Sequence, residues 1–216
     1  MTSADIRPLP EELLLLCADP ARGRFLNPSS HLNQVIAGAV LAELLLTGAI
    51  TVEKQRITGY QPFGATDEVA AGVLARLESK GKSRFRPWLF EAVRWIPERP
   101  GYRFHLDRLV AQGYYTVEEK RFLGLPVRRH LPTRPDLARQ TAARVAATLL
   151  ARDGGAGRPT AERDRQLAGL IDVAGLERRL YPGRDGAPIR RAAGRLAREL
   201  PVPQAVRKAV ERMSGN

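Results

Sequence analysis

The longest apolar stretch of the chain runs from Leu32 to Thr47 and contains no Lys, Arg or Asp. Apolar residues fall on nearly every face of a helix drawn through it, which is typical of a helix buried at the centre of a bundle. The small residues that keep this helix thin are Ala37, Gly38, Ala39 and Ala42. Glu43 is the exception in the apolar run, and we predict that it forms a structural ion pair with an arginine.

Eight of the 19 residues from Leu41 to Gly59 recur 65 residues later, in the stretch from Leu106 to Gly124. Each copy has an apolar helical run, then a glycine (Gly48 or Gly113) suited to a left-handed helix end, then a β-branched or aromatic run leading into a polar turn. The pattern predicts helix, glycine and β-hairpin twice. This order is common in proteins, so coincidence also explains part of the match, and two copies are too few for a solenoid.

Helical periodicity predicts further amphipathic helices on both sides of these two units. Their expected ranges are Leu9 to Ala18, Thr66 to Lys80, Asp136 to Arg152, Thr160 to Val173, Ile189 to Leu200 and Pro203 to Met213. Glu11 and Glu12 lie favourably near the positive end of the first helix, and Arg24 to Leu26 is expected to form a short strand. The fold expected is mainly α, with one domain over residues 1–216: a central helical bundle, surrounding amphipathic helices and peripheral β-hairpins.

Aromatic and apolar residues alternate with arginines between Phe85 and Ile96. Such a pattern fits a core helix with a solvated basic face, which is the interpretation we favour. It also fits a stacking surface for single-stranded nucleic acid or an amphipathic element on a membrane.

The net charge of +12 favours a polyanionic partner, either nucleic acid or an anionic membrane surface, over a neutral metabolite. Arginines outnumber lysines, so a GC-rich genome is a second source of this charge. The apolar stretches are too short or too interrupted to span a bilayer, and the acidic N-terminal residues do not fit a secretory signal. With a single cysteine, Cys17, the sequence predicts a protein of the cytoplasm.

Residues with catalytic spacing are not evident in the sequence. His31, His105 and His130 have no Cys or His at metal-ligand spacing. The Gly-rich run from Asp153 to Gly157 lacks the ending of a phosphate loop and follows a helix, and no nucleophile motif of the G-x-S-x-G kind occurs. We therefore expect a protein that is not an enzyme and uses no metal or cofactor.

Four stretches, in order along the chain, resemble the Golgi phosphoprotein 3-like family, specifically its bacterial branch. They are Leu9 to Asp19, Gly38 to Ile50, Leu109 to Phe122 and, more weakly, Asp164 to Leu180. The resemblance implies a mostly helical single domain with a central bundle and edge hairpins. For eukaryotic members it implies a peripheral membrane protein that binds phosphatidylinositol 4-phosphate and carries glycosyltransferases as clients.

The head-group site implied by the resemblance uses a Trp and an Arg just before the central helix, and two basic residues three apart before the second helix–Gly unit. Leu26 or Pro28 aligns with the Trp and Ala37 with the Arg. Arg99 aligns with the third position, whereas Tyr102 replaces the fourth and Arg103 follows it.

We therefore predict that Arg99 and Arg103 bind anionic phospholipid head groups on the inner face of the membrane. The adjoining hairpin is expected to contact the membrane or to mediate homo-oligomerisation, because an exposed apolar run invites either contact. Its residues are Phe122, Leu123, Leu125, Val127, Arg128 and Arg129.

Two other functions fit the sequence. A helix followed by a basic hairpin is also the pattern of a winged-helix nucleic-acid-binding protein. However, the helix from Leu32 to Thr47 has no basic side chain that could reach into a DNA groove. An adaptor that binds only other proteins is the third interpretation.

Overall fold

The computed structural model describes residues 7–19, 24–25, 29–62, 68–81, 87–96, 101–122, 125–151 and 160–214. The helices described are α1 (Leu9–Cys17), α2 (Ser29–Leu46), α3 (Glu68–Gly81), α4 (Leu89–Trp95), α5 (Gly101–Ala111), α6 (Pro135–Leu150), α7 (Ala161–Val173), α8 (Glu177–Leu180), α9 (Ala187–Glu199) and α10 (Pro201–Ser214). The strands are β1 (Ala18–Asp19), β2 (Arg24–Phe25), β3 (Ile50–Glu53), β4 (Arg56–Tyr60), β5 (Tyr115–Phe122) and β6 (Leu125–Pro132). They pair in chain order as three two-stranded antiparallel sheets, so the mainly α fold with peripheral hairpins is confirmed.

Helix α2 is the buried centre of the bundle, as its apolar pattern predicts. Val35, Ala39 and Leu41 are each fully buried, and α1, α3, α4, α5, α7 and α10 all contact the helix. A methyl group at Gly38 would overlap Val206 of α10, so glycine is needed where α10 crosses α2. None of the described helices is both long and apolar enough to cross a bilayer.

Both copies of the repeated unit fold as predicted into helix, glycine and hairpin. Gly48 and Gly113 have φ values of 73° and 76°, the left-handed conformation that glycine adopts without strain. The first hairpin turns through Lys54 and Gln55, both with positive φ, as a two-residue turn of this twist requires. The second hairpin is longer and pairs without interruption from Tyr115 with Pro132 to Phe122 with Leu125.

Several boundaries differ from the sequence expectations. Helix α10 begins at Pro201, two residues before the expected Pro203, because proline is compatible with the first turn of a helix. Thr160 occupies the N-cap position of α7, but its side chain makes no capping hydrogen bond. Within the expected Arg24 to Leu26 strand, Arg24 and Phe25 pair with Asp19 and Ala18. Leu26, Phe85 and the Gly-rich run from Asp153 to Gly157 lie outside the described residues.

A buried cluster of charged side chains, here called the ionic cluster, joins α1, α2, α6 and α7. Its members are Glu12, Glu43, Arg144, Arg163 and Asp164. Arg144 donates to both carboxylate oxygens of Glu12 at 2.9 and 3.0 Å and to Asp164 Oδ1 at 2.7 Å. Arg163 donates to both oxygens of Glu43 at 3.0 Å, which confirms the predicted pairing of Glu43.

A backbone amide and a hydroxyl group also donate to the carboxylates of the ionic cluster. The Leu9 amide donates to Glu43 at 2.8 Å, and the Thr148 hydroxyl donates to Asp164 at 2.8 Å. Burial alone lowers the pKa of Arg144, but hydrogen bonds and attraction from Glu12 and then Asp164 outweigh it, and the net shift is upward. The Arg144 guanidinium is therefore held in its charged form.

Glu11 and Glu12 are buried and make contacts beyond the predicted interaction with the helix dipole. Their exposures are only 1% and 2%, and Glu11 pairs with Arg108 Nε of α5 at 2.6 Å. Carboxylates this deeply buried need partners of opposite charge. The acidic first turn of α1 is thus a core-facing element.

We expect Glu12→Gln to lower the free energy of unfolding by roughly 3–5 kcal/mol, because it removes one of the two carboxylates that pair with the Arg144 guanidinium in the interior. Urea denaturation monitored by circular dichroism measures this loss. Glu119→Gln is the matched control, since Glu119 pairs with Arg128 at the surface and such pairs contribute about 1 kcal/mol or less. Equal unfolding free energies for the two variants would contradict the stabilising role of the cluster.

Candidate functional site

Helix α5 positions Arg103 at the surface because the opposite side of the helix is anchored in the core. Leu106 and Leu109 are buried at 3% and 0% exposure, whereas Arg103 and Asp107, one turn apart, are exposed. Residues four apart on a helix lie on one face, so Arg103 and Asp107 mark the outer side of α5.

The second hairpin is fixed to the bundle at its base. Tyr115, the first residue of β5, is 2% exposed, and its hydroxyl donates to the Leu14 carbonyl oxygen at 3.1 Å. Arg7 donates to the hydroxyl of the neighbouring Tyr114 at 2.7 Å, and its guanidinium lies 4.4 Å from that ring's centroid. The hairpin therefore projects from a firm attachment beside α5.

Helix α5 packs against β5, and β5 pairs with β6, the strand that carries Arg128 and His130. Burial lowers the pKa of His130, Asp107 acts to raise it, and the charges of Arg128 and Arg103 lower it further, so the net shift is downward. The exposed Arg103 and Arg128 and the half-buried His130 are here called the Arg103 surface.

The register of the hairpin determines which side chains share each face. His130 is opposite Val117 and Arg128 is opposite Glu119, whereas Arg129 is opposite Glu118 on the other face. Arg128 Nε lies 2.9 Å from Glu119 Oε1, with both side chains mainly exposed. Exposed pairs of this kind are weak and screened, so Arg128 can exchange Glu119 for another anion at little cost.

Three residues of the predicted site lie at the surface. Arg103, Arg128 and Arg129 are all exposed. Arg99 and Leu123 lie outside the described residues, as do the side chains of Phe122, Leu125 and Val127, whose backbones pair in the hairpin.

The head-group positions implied by the resemblance are altered in the described part of the chain. Ala37 lies within α2 at 4% exposure, so its side chain faces the core. Tyr102, at the fourth position, is half-buried and packs against the core. Leu26 and Pro28 lie outside the described residues.

The sequence interpretation missed a second basic surface on α8 and α9. Arg191, Arg195 and Arg198 are exposed, and their spacing of four and three residues places them along one face of α9. With Arg178 they line a concavity of about 640 Å³ that also contains Asp172 and Glu177. The helical spacing of the three α9 arginines could be recognised in the sequence. The position of Arg178 of α8 beside them could not.

Within the described residues, no group of three or more His, Cys, Asp and Glu side chains is placed to hold a metal ion. Burial raises the pKa of the Cys17 thiol to about 12, and the charge of Arg179 opposes this shift only in part. Cys17 is therefore a buried neutral thiol at physiological pH, consistent with a structural position in α1.

Comparison with known proteins identifies the family. The family model described as Golgi phosphoprotein 3 (GPP34) matches residues 9–213. A search of curated proteins found no match. Because the family model spans nearly the whole fold, from α1 to α10, the chain belongs to the Golgi phosphoprotein 3 (GPP34) family.

Proposed function

We propose that this protein binds anionic phospholipid head groups at a membrane surface through the Arg103 surface and the second hairpin. The observation that carries the proposal is the packing of α5, which carries the exposed Arg103, against the second hairpin, which carries the exposed Arg128. Arg129 adds a guanidinium on the other face of the hairpin, and Arg99 is included from the sequence. Membership of the Golgi phosphoprotein 3 family supports the same kind of activity.

The expected binding is electrostatic and reversible. A basic residue near an anionic surface contributes on the order of 1 kcal/mol, so three or four acting together suffice for association. Selective recognition of phosphatidylinositol 4-phosphate is a narrower proposal, which the buried Ala37 at the expected arginine position does not favour. We propose that the protein is attracted to anionic lipids in general, on the cytoplasmic side of the membrane. We also propose that it acts as an adaptor, with client proteins as further partners.

A winged-helix nucleic-acid-binding function is the alternative that the same experiments test. Its recognition helix would have to enter a groove, yet α2 is buried on most sides. On α5, Arg108 pairs with the buried Glu11 and is therefore committed to the core. Tight DNA binding by the protein would favour this alternative over the lipid proposal.

Reversing the charge of Arg103 with Arg103→Glu should weaken binding to phosphatidylglycerol-containing vesicles by about tenfold or more, since attraction is replaced by repulsion. Vesicle flotation at low salt measures this, with pure phosphatidylcholine vesicles as the neutral reference. Arg195→Glu makes the same change of charge on α9. An equal loss in both variants would show that net charge, and not the Arg103 surface, controls the binding.

Anionic vesicle binding should strengthen as the pH falls from about 7.5 to about 5, because an anionic surface favours the protonated form of His130. Before lipid binds, the pKa of His130 is below its ordinary value. The negative charge of the lipid raises that pKa, so proton uptake accompanies binding. His130→Gln should reduce this pH dependence. A variant with the parent's full pH dependence would exclude His130 as its source.

Replacing Leu125 and Val127 together by aspartate should weaken vesicle binding if the end of the hairpin inserts between lipids. Light scattering by the parent protein and this double variant tests the alternative role of the hairpin in homo-oligomerisation. A lower molar mass with unchanged vesicle binding would assign the hairpin to contacts between copies of the chain. Thr116→Asp, nearer the base, is the control for added negative charge.

A further inference from the structure

A groove of about 480 Å³ lies where α1, α6, α8 and the end of β6 meet. Its apolar lining includes Leu15 and Leu16 of α1, Ala138, Ala142 and Ala146 of α6, and Leu180 of α8. The three alanines are spaced four residues apart and so form one strip along α6. Because alanine side chains are short, this strip leaves room for a trough between α6 and its neighbours.

Polar groups in the wall of the groove are already satisfied by the protein. Tyr181 is 6% exposed, and its hydroxyl donates to the Ala142 carbonyl oxygen at 3.0 Å. The ring of Tyr181 therefore forms an apolar part of the groove wall. A volume of this size lined mainly by apolar groups is typical of a site for a small ligand.

The rim of the groove is positively charged. The charged residues that line it are Arg134, Arg139 and Arg179, with no carboxylate among the lining residues. Asp136 lies nearby and accepts from Arg134 at 3.0 and 3.2 Å, while Arg139 also attracts it. Arg179 donates one hydrogen bond to the Ala18 carbonyl oxygen at 2.7 Å, which fixes its guanidinium at the rim.

We propose that this groove binds a single-chain anionic amphiphile. The acyl chain lies along the alanine strip of α6, and the anionic head pairs with Arg139 and Arg179. Charge complementarity selects this occupant, because an apolar trough with a cationic rim matches an apolar chain with an anionic end. The proposal does not rest on the lipid-surface function, since the groove shares no residue with the Arg103 surface.

Isothermal titration with dodecyl phosphate, kept below its micelle concentration, tests this site. Dodecyl phosphate should bind at least about tenfold more tightly than inorganic phosphate, which lacks the chain, and than dodecyl maltoside, which lacks the charge. Equal binding of inorganic phosphate would overturn the proposal, and so would equal binding of dodecyl maltoside. No binding of dodecyl phosphate by the parent would also overturn it and leave the groove to a peptide partner.

Three substitutions locate the binding. Ala143→Trp fills the groove from an exposed position of its lining, and we expect it to abolish dodecyl phosphate binding. Ala147→Trp adds the same ring to an exposed position of α6 outside the lining and should bind as the parent does. Arg139→Gln should weaken binding about tenfold without blocking the trough.

Circular dichroism first establishes that all three variants are folded. Full binding by Ala143→Trp would overturn the assignment to this groove. Vesicle flotation of Ala143→Trp should match the parent, which separates this site from the proposed membrane surface.

Discussion

The interior of this protein depends on pairing charges away from water. Arg144 and Arg163 enter the bundle from α6 and α7 and contact carboxylates of α1 and α2. Burial of an ion costs several kcal/mol unless a partner of opposite charge and further hydrogen bonds compensate. The bidentate contacts to Glu12 and Glu43 meet this requirement, and through them the ionic cluster links four helices.

The proposed lipid surface is built on this arrangement. Helix α1, held by Glu12, supplies the Leu14 carbonyl that accepts from Tyr115 at the base of the second hairpin. Glu11 of the same helix holds Arg108 of α5, the helix that presents Arg103. Some arginines are therefore neutralised inside, whereas Arg103, Arg129 and Arg195 are exposed to solvent. The excess positive charge of +12 therefore lies on exposed side chains.

Local features of the fold were predictable from sequence, and contacts between distant segments were not. Gly48 and Gly113 mark helix ends because the left-handed conformation is a property of single residues. The burial of α2 follows from its apolar pattern, in which Glu43 is the charged exception. Glu12 and Arg144 are 132 residues apart, and an acidic first turn has the same sequence pattern whether it faces solvent or the core. The groove beside α6 likewise needs three separated segments, so no single motif indicates it.

The central claim, that α5 and the second hairpin form the lipid-binding surface, is tested most directly by hydrogen–deuterium exchange with and without phosphatidylglycerol vesicles. The account predicts slower exchange in peptides from residues 101–107 and 115–132 when vesicles are present. It predicts no change in α2, whose amides are protected in both states by burial. Protection confined to α9, or absent from α5 and the hairpin while the protein is vesicle-bound, would contradict it.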